Sequence, residues 1–305
     1  MVNGIVSLCV ILLLNAASLA SKVLPVMVVD FGSENLKVAV LSRGAHHHFE
    51  LALNEQAARK SDSIVAFADG KRYFNIMAKN AETRLAANAV KSVALLLNRS
   101  ADDALLREPV FRFNSLTTDR RGVVAGVRID GAEEFAVEVL AAMMLDFLAQ
   151  IAHAHAGVAM KHAVIIASDE RQRTALRLAC SIANLKPLAL VRDTHAVALA
   201  YAVEHGSTLD ADVERVVLLV DIGATLTRVT LARATRSSLH VLAARHDEAL
   251  AGGRYVDAAL VELACATLTC ARSATARVRL LRDAQRVKHV LSVNKDATLR
   301  VPLDG

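Results

Sequence analysis

Two aspartates, each followed two positions later by a glycine, are the residues of this chain best suited to carry chemistry. Asp30 starts the run Asp-Phe-Gly-Ser-Glu-Asn-Leu-Lys, and Asp221 starts the run Asp-Ile-Gly-Ala-Thr-Leu-Thr-Arg. A carboxylate at a strand end can hold Mg²⁺, usually through water, because Mg²⁺ dehydrates reluctantly. Glycine lets backbone N–H groups approach a phosphate closely. The pattern therefore predicts two loops, each with hydroxyl residues after its glycine, that face one polyphosphate.

The elements that must position these loops are pairs of apolar strands. A β-branched run precedes each aspartate, and a second apolar strand leaves each loop, as in a buried hairpin. One such turn is common in ordinary hairpins, but two copies, each opening one half of the chain, indicate a duplicated α/β unit.

Along the rest of the chain, segments with the periodicity of a strand alternate with segments with the periodicity of a helix, which is typical of a layered α/β protein. Strand-like runs occur at 26–30, 36–41, 163–167, 188–191, 216–221 and 227–232. Helix-like runs occur at about 76–97, 133–153, 170–184, 195–204, 254–270 and 274–291. Residues 98–130 lack clear periodicity, so we expect loops and a small hairpin there.

The two hairpins and the segments between them resemble the ATPase domain of the heat-shock seventy chaperones, of the DnaK and BiP type. Residues 30–37 resemble in particular the large endoplasmic-reticulum branch, the hypoxia up-regulated or oxygen-regulated protein group. The resemblance covers roughly residues 26 to 303. It implies the actin-like fold, in which two lobes of duplicated βα units hold a nucleotide at the base of a cleft, with the second lobe incomplete in this chain.

The resemblance also implies roles for single residues, matched position by position. The segment 182–201 is similar to the one that crosses between the lobes, and Asp193 stands where the family has a glutamate. Asp30, Asp193 and Asp221 are the implied catalytic carboxylates and the implied ligands of Mg²⁺ through water. The residues implied to bind ATP or ADP are Gly32, Ser33, Gly223, Thr225, Gly252, Gly253, Gln285, Lys288 and Ser292.

The last three of these residues share a helical spacing. Gln285, Lys288 and Ser292 recur at i, i+3 and i+7, so they share one face of a helix. Such a face can line a ribose and a purine edge. On spacing alone it is more typical of an ordinary polar helix face, and the match to the family favours the adenosine-clamping helix.

Several departures from the family bear on hydrolysis. Ala94 stands where the family has a catalytic lysine, with Lys91 one turn earlier. Glu34 stands where these ATPases carry a hydroxyl, and an acid beside a polyphosphate is electrostatically unfavourable. The run 224–226 replaces most of a Gly-Gly-Thr sequence. Backbone amides can still bind a nucleotide, so we expect binding with weak or absent hydrolysis.

The first twenty residues predict a secretory signal peptide. An apolar block is followed by Ser18 and Ala20 in the small-x-small pattern of a cleavage site, and the block is short for a membrane span. We expect no other membrane-spanning segment.

Asn98-Arg-Ser is an N-glycosylation sequon that the secretory pathway could use. Cys180, Cys265 and Cys270 match no zinc pattern, and a bridge between the last two is improbable if both lie on one helix.

Charge and composition exclude one class of partner. Tryptophan is absent and aromatic residues make up 4% of the chain, so stacking platforms for nucleic acid are not expected. The net charge of +5 comes from arginines scattered through helices, which favours a solvated basic surface. We divide the chain into a signal peptide at 1–20, a first ATPase lobe at 21–205 and a partial second lobe at 206–305.

The resemblance implies an ATP-binding chaperone of the endoplasmic reticulum lumen that assists folding under stress. It would act on unfolded client proteins and as a nucleotide-exchange partner of a BiP-type lumenal chaperone. Three alternatives remain open: a BiP-like foldase ATPase, which Ala94 argues against; a small-molecule kinase on the actin-like fold, which would need a carboxylate base that nothing singles out; and a pseudo-ATPase that serves as a binding module.

Overall fold

The computed structural model describes residues 24–41, 49–107, 111, 113–131, 133–167, 170–267 and 273–302. The strands within them are β1 Val26–Phe31, β2 Asn35–Leu41, β3 Phe49–Leu51, β4 Ser61–Asp62, β5 Ile64–Ala68, β6 Lys71–Phe74, β7 Ala89–Lys91, β8 Ser115–Thr118, β9 Val124–Ile129, β10 Glu133–Ala136, β11 His162–Ala167, β12 Lys186–Arg192, β13 Arg215–Ile222, β14 Leu226–Ala234 and β15 Leu239–Ala251. The α-helices are α1 Asn75–Glu82, α2 Val93–Leu96, α3 Val137–Ala156, α4 Glu170–Ile182, α5 Asp193–Glu204, α6 Gly253–Thr267 and α7 Ala274–Leu291.

The largest sheet carries the first Asp-Gly hairpin. Its strand order is β12-β11-β1-β2-β3, with β4 also paired to β2, and β1 runs parallel to β11 and antiparallel to β2. Met27 and Val29 pack into the main core on one face, and Val28 packs into a second apolar cluster on the other face. The continuous apolar run before Asp30 is therefore explained by burial on both faces of the sheet.

The second Asp-Gly hairpin lies in a three-stranded antiparallel sheet of order β13-β14-β15. Among the described strands, β13 pairs with β14 alone. Every second apolar side chain of β13 is exposed, namely Val216, Leu218, Val220 and Ile222. The prediction of an α/β protein is confirmed, and the domain boundaries at residues 20 and 205 stay predictions.

The helix predicted for 76–97 is wrong over half of its length. α1 ends at Glu82, and the short strand β7 then pairs with β5 before α2 begins at Val93. Val90 lies opposite Val65, and both side chains are fully buried. Burial in this small sheet outweighs the helical periodicity of the sequence, because propensity is a weak preference that tertiary contacts override.

The region predicted as loops and a hairpin contains strands β8 and β9, which pair as a hairpin. A third strand, β10, pairs with β9, so the helix predicted from residue 133 begins only at Val137. α3 is the described helix that is long and apolar enough to cross a membrane, and half of its apolar window is buried inside the protein. Leu140 and Met144 of α3 lie in the main core. The predicted signal peptide lies outside the described residues.

Cys265, near the end of α6, is disulfide-bonded. α6 ends at Thr267. Cys270 lies outside the described residues, so the expectation about a bridge between Cys265 and Cys270 stays a prediction. Cys180 is a buried free thiol, and burial raises its pKa to about 11.

Candidate functional site

The turns of the two Asp-Gly hairpins lie against each other. Ser33 Oγ and Thr225 Oγ1 are 2.8 Å apart, although 192 residues separate them in sequence. Each hydroxyl follows the glycine of its own hairpin. The structure thus brings together the two loops that the sequence predicts to face one polyphosphate. Two cavities, one on each side of this contact, together form a cleft.

One end of this cleft contains the three predicted carboxylates. Asp30 and Asp221 reach it from the next-to-last residues of β1 and β13, and Asp193 reaches it from the first residue of α5. The glycines and hydroxyls of both turns line the same cavity, namely Gly32, Ser33, Gly223 and Thr225. The cavity therefore joins residues from both halves of the chain.

Each hairpin aspartate has a basic residue directly opposite it on the neighbouring strand. Asp30 is the cross-strand partner of Lys37, and Asp221 is the cross-strand partner of Arg228. Lys37 Nζ donates to Asp30 Oδ2 at 2.5 Å. Arg228 Nη1 lies 3.5 Å from Asp221 Oδ2. Both basic residues line the carboxylate cavity, and neither was assigned a role from the sequence.

Arg228 also binds the third carboxylate. Its Nε lies 2.5 Å from Asp193 Oδ2, and Asp193 Oδ1 accepts a hydrogen bond from the Thr194 N–H at 2.7 Å. A hydrated Mg²⁺ needs carboxylate oxygens that are available to its water ligands, and here all three carboxylates already contact a side-chain cation. The three aspartates lie where the predicted metal site requires them. Their carboxylates are already paired with Lys37 or Arg228, and this pairing does not fit a bound divalent ion.

The Gly252-Gly253 segment closes over the second turn. The N–H groups of Gly252, Gly253 and Arg254 donate to the carbonyls of Thr225, Gly223 and Ala224 at 3.2, 2.9 and 2.8 Å. A Cβ atom at Gly252 would lie 2.2 Å from Gly223 O, so only glycine fits. This segment approaches the turn through its backbone.

The Arg254 side chain connects the second turn to the first. Arg254 Nη2 donates to Ser33 O at 3.0 Å and also to Ser92 Oγ. Arg254 lines a second cavity on the other side of the Ser33–Thr225 contact, together with Lys91, Tyr255 and Gln285. No role was assigned to Arg254 from the sequence, although its position directly after the paired glycines was an available signal.

Of the three residues predicted to clamp adenosine, Gln285 alone lines the cavities described above. Lys288 Nζ donates to Asp257 Oδ2 at 2.9 Å and to Gly253 O at 3.0 Å. Asp257 is fully buried, and burial raises the pKa of its carboxyl, against the opposing effect of the hydrogen bond from Lys288. Lys288 therefore neutralises a buried acid. Ser292 is exposed and donates to His289 O of its own helix at 2.6 Å.

The position of the expected catalytic lysine lies in the carboxylate cavity. Ala94 is buried there, and Gln172 Nε2 donates to its carbonyl oxygen at 2.7 Å. Lys91 lines the other cavity, where its Nζ lies 2.8 Å from Glu82 Oε1. Burial lowers the pKa of Lys91, and the charge of Glu82 opposes that shift. Lys91 thus pairs with Glu82 instead of reaching the carboxylates.

The predicted glycosylation residue, Asn98, does not line either cavity, although its neighbour Arg99 lines the carboxylate cavity. Asn98 follows α2 with a left-handed backbone (φ 52°) and is half-buried. The middle residue of the sequon, Arg99, is buried and binds Leu95 O through its Nε at 2.7 Å. Glycosylation of Asn98 stays a prediction.

Comparison with known proteins identifies the sequences this chain is similar to. A family model described as Hsp70 protein matches residues 26–305. Hypoxia up-regulated protein 1 of Homo sapiens is 27% identical over 300 residues, which are 90% of this chain and 30% of that protein. Heat shock 70 kDa protein 14 of Arabidopsis thaliana is 27% identical over 284 residues, which are 89% of this chain and 34% of that protein. Heat shock protein hsp88 of Neurospora crassa is 29% identical over 289 residues, covering 90% and 40%. The chain spans about a third of the length of these relatives.

Proposed function

This chain belongs to the Hsp70 protein family, and from that membership we propose that it is a chaperone domain that binds ATP or ADP between its two Asp-Gly hairpins. The actin-like ATPase fold of the family brings the two hairpin turns to one cleft. The observation that carries the proposal is the 2.8 Å contact between Ser33 and Thr225, since it joins the two predicted phosphate loops.

The proposed nucleotide spans both cavities. Its phosphates lie at the turns, where backbone amides beside Gly32 and Gly223 supply donors and the two hydroxyls supply more. Its adenosine lies toward Gln285, whose side chain lines the adjoining cavity. In this proposal Gly252 and Gly253 support the second turn through their backbone. Lys288 and Ser292 complete the adenosine end only if the nucleotide displaces their present partners.

Isothermal titration calorimetry with ADP and ATP tests this proposal directly. We expect Asp30→Ala and Asp221→Ala to change nucleotide affinity more than Ser33→Ala, because each removes a charge from the phosphate end. Arg233→Ala is the matched control, since Arg233 lies on β14 beyond the cleft and pairs with Glu214 at 3.3 Å. A folded protein that shows no heat with either nucleotide would refute nucleotide binding.

We propose that hydrolysis is weak because the catalytic lysine position is Ala94. Electrostatic or acid–base assistance from one such residue is typically worth about 10²–10⁴-fold in rate. Ala94→Lys should therefore raise turnover, whereas Lys91→Ala should leave turnover near the wild-type level. Wild-type turnover equal to that of a BiP-type chaperone would contradict this assignment. No change in turnover on Ala94→Lys would favour a pseudo-ATPase, which the pairing of all three carboxylates also supports.

We further propose the endoplasmic reticulum lumen as the site of action. The predicted signal peptide and the similarity to hypoxia up-regulated protein 1 support this location. Stress-related folding of client proteins and nucleotide exchange on a BiP-type chaperone are proposed with it. A glycan on Asn98 that endoglycosidase H removes from the protein made in secretory cells, and that is missing from the Asn98→Gln variant, would support this location. Release of labelled ADP from a BiP-type chaperone on addition of this protein tests the exchange role.

A further inference from the structure

The same charge pair occurs twice in this cleft. In each hairpin a basic residue follows the aspartate seven positions later and lies directly opposite it in the strand register, as Asp30 with Lys37 and Asp221 with Arg228. A duplicated acid–base pair at the same place in both hairpins indicates a role for the cations that is tied to the cleft.

Both cations are largely enclosed. The Lys37 and Arg228 side chains are 20% and 15% exposed, and both line the cavity that contains the turns of the hairpins. Surface ion pairs lose most of their strength to solvent, but these pairs are shielded on most sides. The two cations therefore compensate two of the three carboxylate charges at the end of the cleft where the phosphates are proposed to lie.

Arg228 has the geometry of a bridging cation. Its Nε contacts Asp193 at 2.5 Å, and its Nη1 contacts Asp221 at 3.5 Å, so one guanidinium joins carboxylates from α5 and β13. A guanidinium presents several donors in a fixed plane, which suits carboxylates and phosphates alike. A divalent ion at the same carboxylates would have to displace it.

We propose that Lys37 and Arg228 are the resident cations of the cleft, that they exclude a divalent ion from Asp30, Asp193 and Asp221, and that a nucleotide consequently binds here without Mg²⁺. The part that concerns the nucleotide rests on the proposed function. This is the reverse of the expectation from sequence, in which the three carboxylates hold hydrated Mg²⁺. The difference arises because the cross-strand register places a cation beside each hairpin aspartate.

The first experiment needs no nucleotide. Electron paramagnetic resonance of Mn²⁺ titrated with the purified protein reports how much of the metal stays free. We expect wild-type protein to leave the Mn²⁺ signal unchanged at millimolar metal, and the double variant Lys37→Gln/Arg228→Gln to reduce it through binding. Stoichiometric Mn²⁺ binding by the wild type that Asp193→Asn abolishes would overturn the proposal.

The second experiment measures ADP affinity with Mg²⁺ and with EDTA. We expect the two wild-type dissociation constants to agree within about threefold, and Arg228→Gln to bind at least about tenfold more weakly in EDTA, a loss of about 1.4 kcal/mol. A wild-type affinity that falls tenfold or more on removal of Mg²⁺ would overturn the inference. Absence of ADP binding in both conditions would refute the proposed function, and the Mn²⁺ titration would still decide whether the carboxylates accept a divalent ion.

Two controls separate charge from folding. Arg233→Gln removes a cation from the same strand outside the cleft and should match the wild type in both measurements. Circular dichroism establishes that each variant is folded. If Arg228→Gln does not fold, Arg228→Lys keeps the charge without the fork that bridges Asp193 and Asp221, and partial retention of metal-free binding by that variant supports the proposal.

Discussion

In the first hairpin β1 lies between β2 and β11, whereas in the second hairpin β13 pairs with β14 alone among the described strands. The matched residues three positions before each aspartate show the consequence. Met27 is 0% exposed and Leu218 is 63% exposed. Each strand nevertheless carries an aspartate near its end, with a glycine two residues later and a basic residue opposite the aspartate on the neighbouring strand.

This comparison separates what the local sequence determines from what neighbours determine. The turn and the acid–base register need only the hairpin itself, so they occur in both halves of the molecule. Burial of the strand before the turn needs further elements on each side, which the first sheet has in β11 and in α3. The chemistry of the cleft is therefore duplicated, and the structural support for it is not.

Limited proteolysis should show the largest difference between the two halves. We expect cleavage to begin beyond residue 205, in the sheet whose β13 is exposed, and to leave a core from the first half. Proteases cut segments that open locally, and few buried contacts make opening easy. Mass spectrometry of the early fragments measures this. Equal resistance along the whole chain would mean that β13 is covered in solution.

Truncation of one side chain at the matched position of each strand tests the difference in burial between β1 and β13. Met27→Ala should lower the free energy of unfolding by about 2–5 kcal/mol, since it empties a site in the main core. Leu218→Ala at the matched position should change it by no more than about 0.5 kcal/mol, as exposed substitutions do. Urea unfolding followed by circular dichroism measures both. Similar losses in the two variants would contradict the exposure of β13.

The sequence predicted the parts of this molecule that depend on local patterns. The β-branched runs before Asp30 and Asp221 form strands, and the turns after them meet as two facing loops. The pairing of each aspartate with a cation could also have been predicted from the sequence, because a two-strand hairpin of known turn length fixes which residues lie opposite each other. Lys37 and Arg228 could have been placed by that argument.

Other features depend on contacts between distant segments and could not be read in this way. β7 looks like part of a helix until Val65 is known to lie opposite Val90. The spacing of Gln285 and Lys288 correctly places them on one helical face, but the buried Asp257 that binds Lys288 belongs to another helix. Long-range burial, which decides both cases, leaves no periodic signal of its own.

The glycines of the two turns offer a smaller test. A Cβ atom at Gly32 would lie 2.4 Å from Asn35 O, whereas one at Gly223 would lie 3.2 Å from Leu226 O. Gly32→Ala should therefore lower the free energy of unfolding by about 1–3 kcal/mol, as overpacking does, and Gly223→Ala should lower it by less. Urea unfolding of both variants gives the order, and the reverse order would show that the two turns are not built as described.

The contact between the two turns should give the smallest effect and the most specific one. Ser33 and Thr225 donate and accept a single hydrogen bond between neutral groups, and such a bond contributes about 0.5–1.5 kcal/mol. In a double-mutant cycle with Ser33→Ala and Thr225→Val, the coupling energy should lie in that range, because the two side chains touch. Ser33→Ala with Thr230→Val is the control cycle: Thr230 is a buried threonine of β14 outside the linings of the cleft, and its coupling to Ser33 should be near zero. A coupling near zero for Ser33 with Thr225 as well would mean that the two halves of the chain do not meet at their turns in solution, and the site proposed between them would lose its main support.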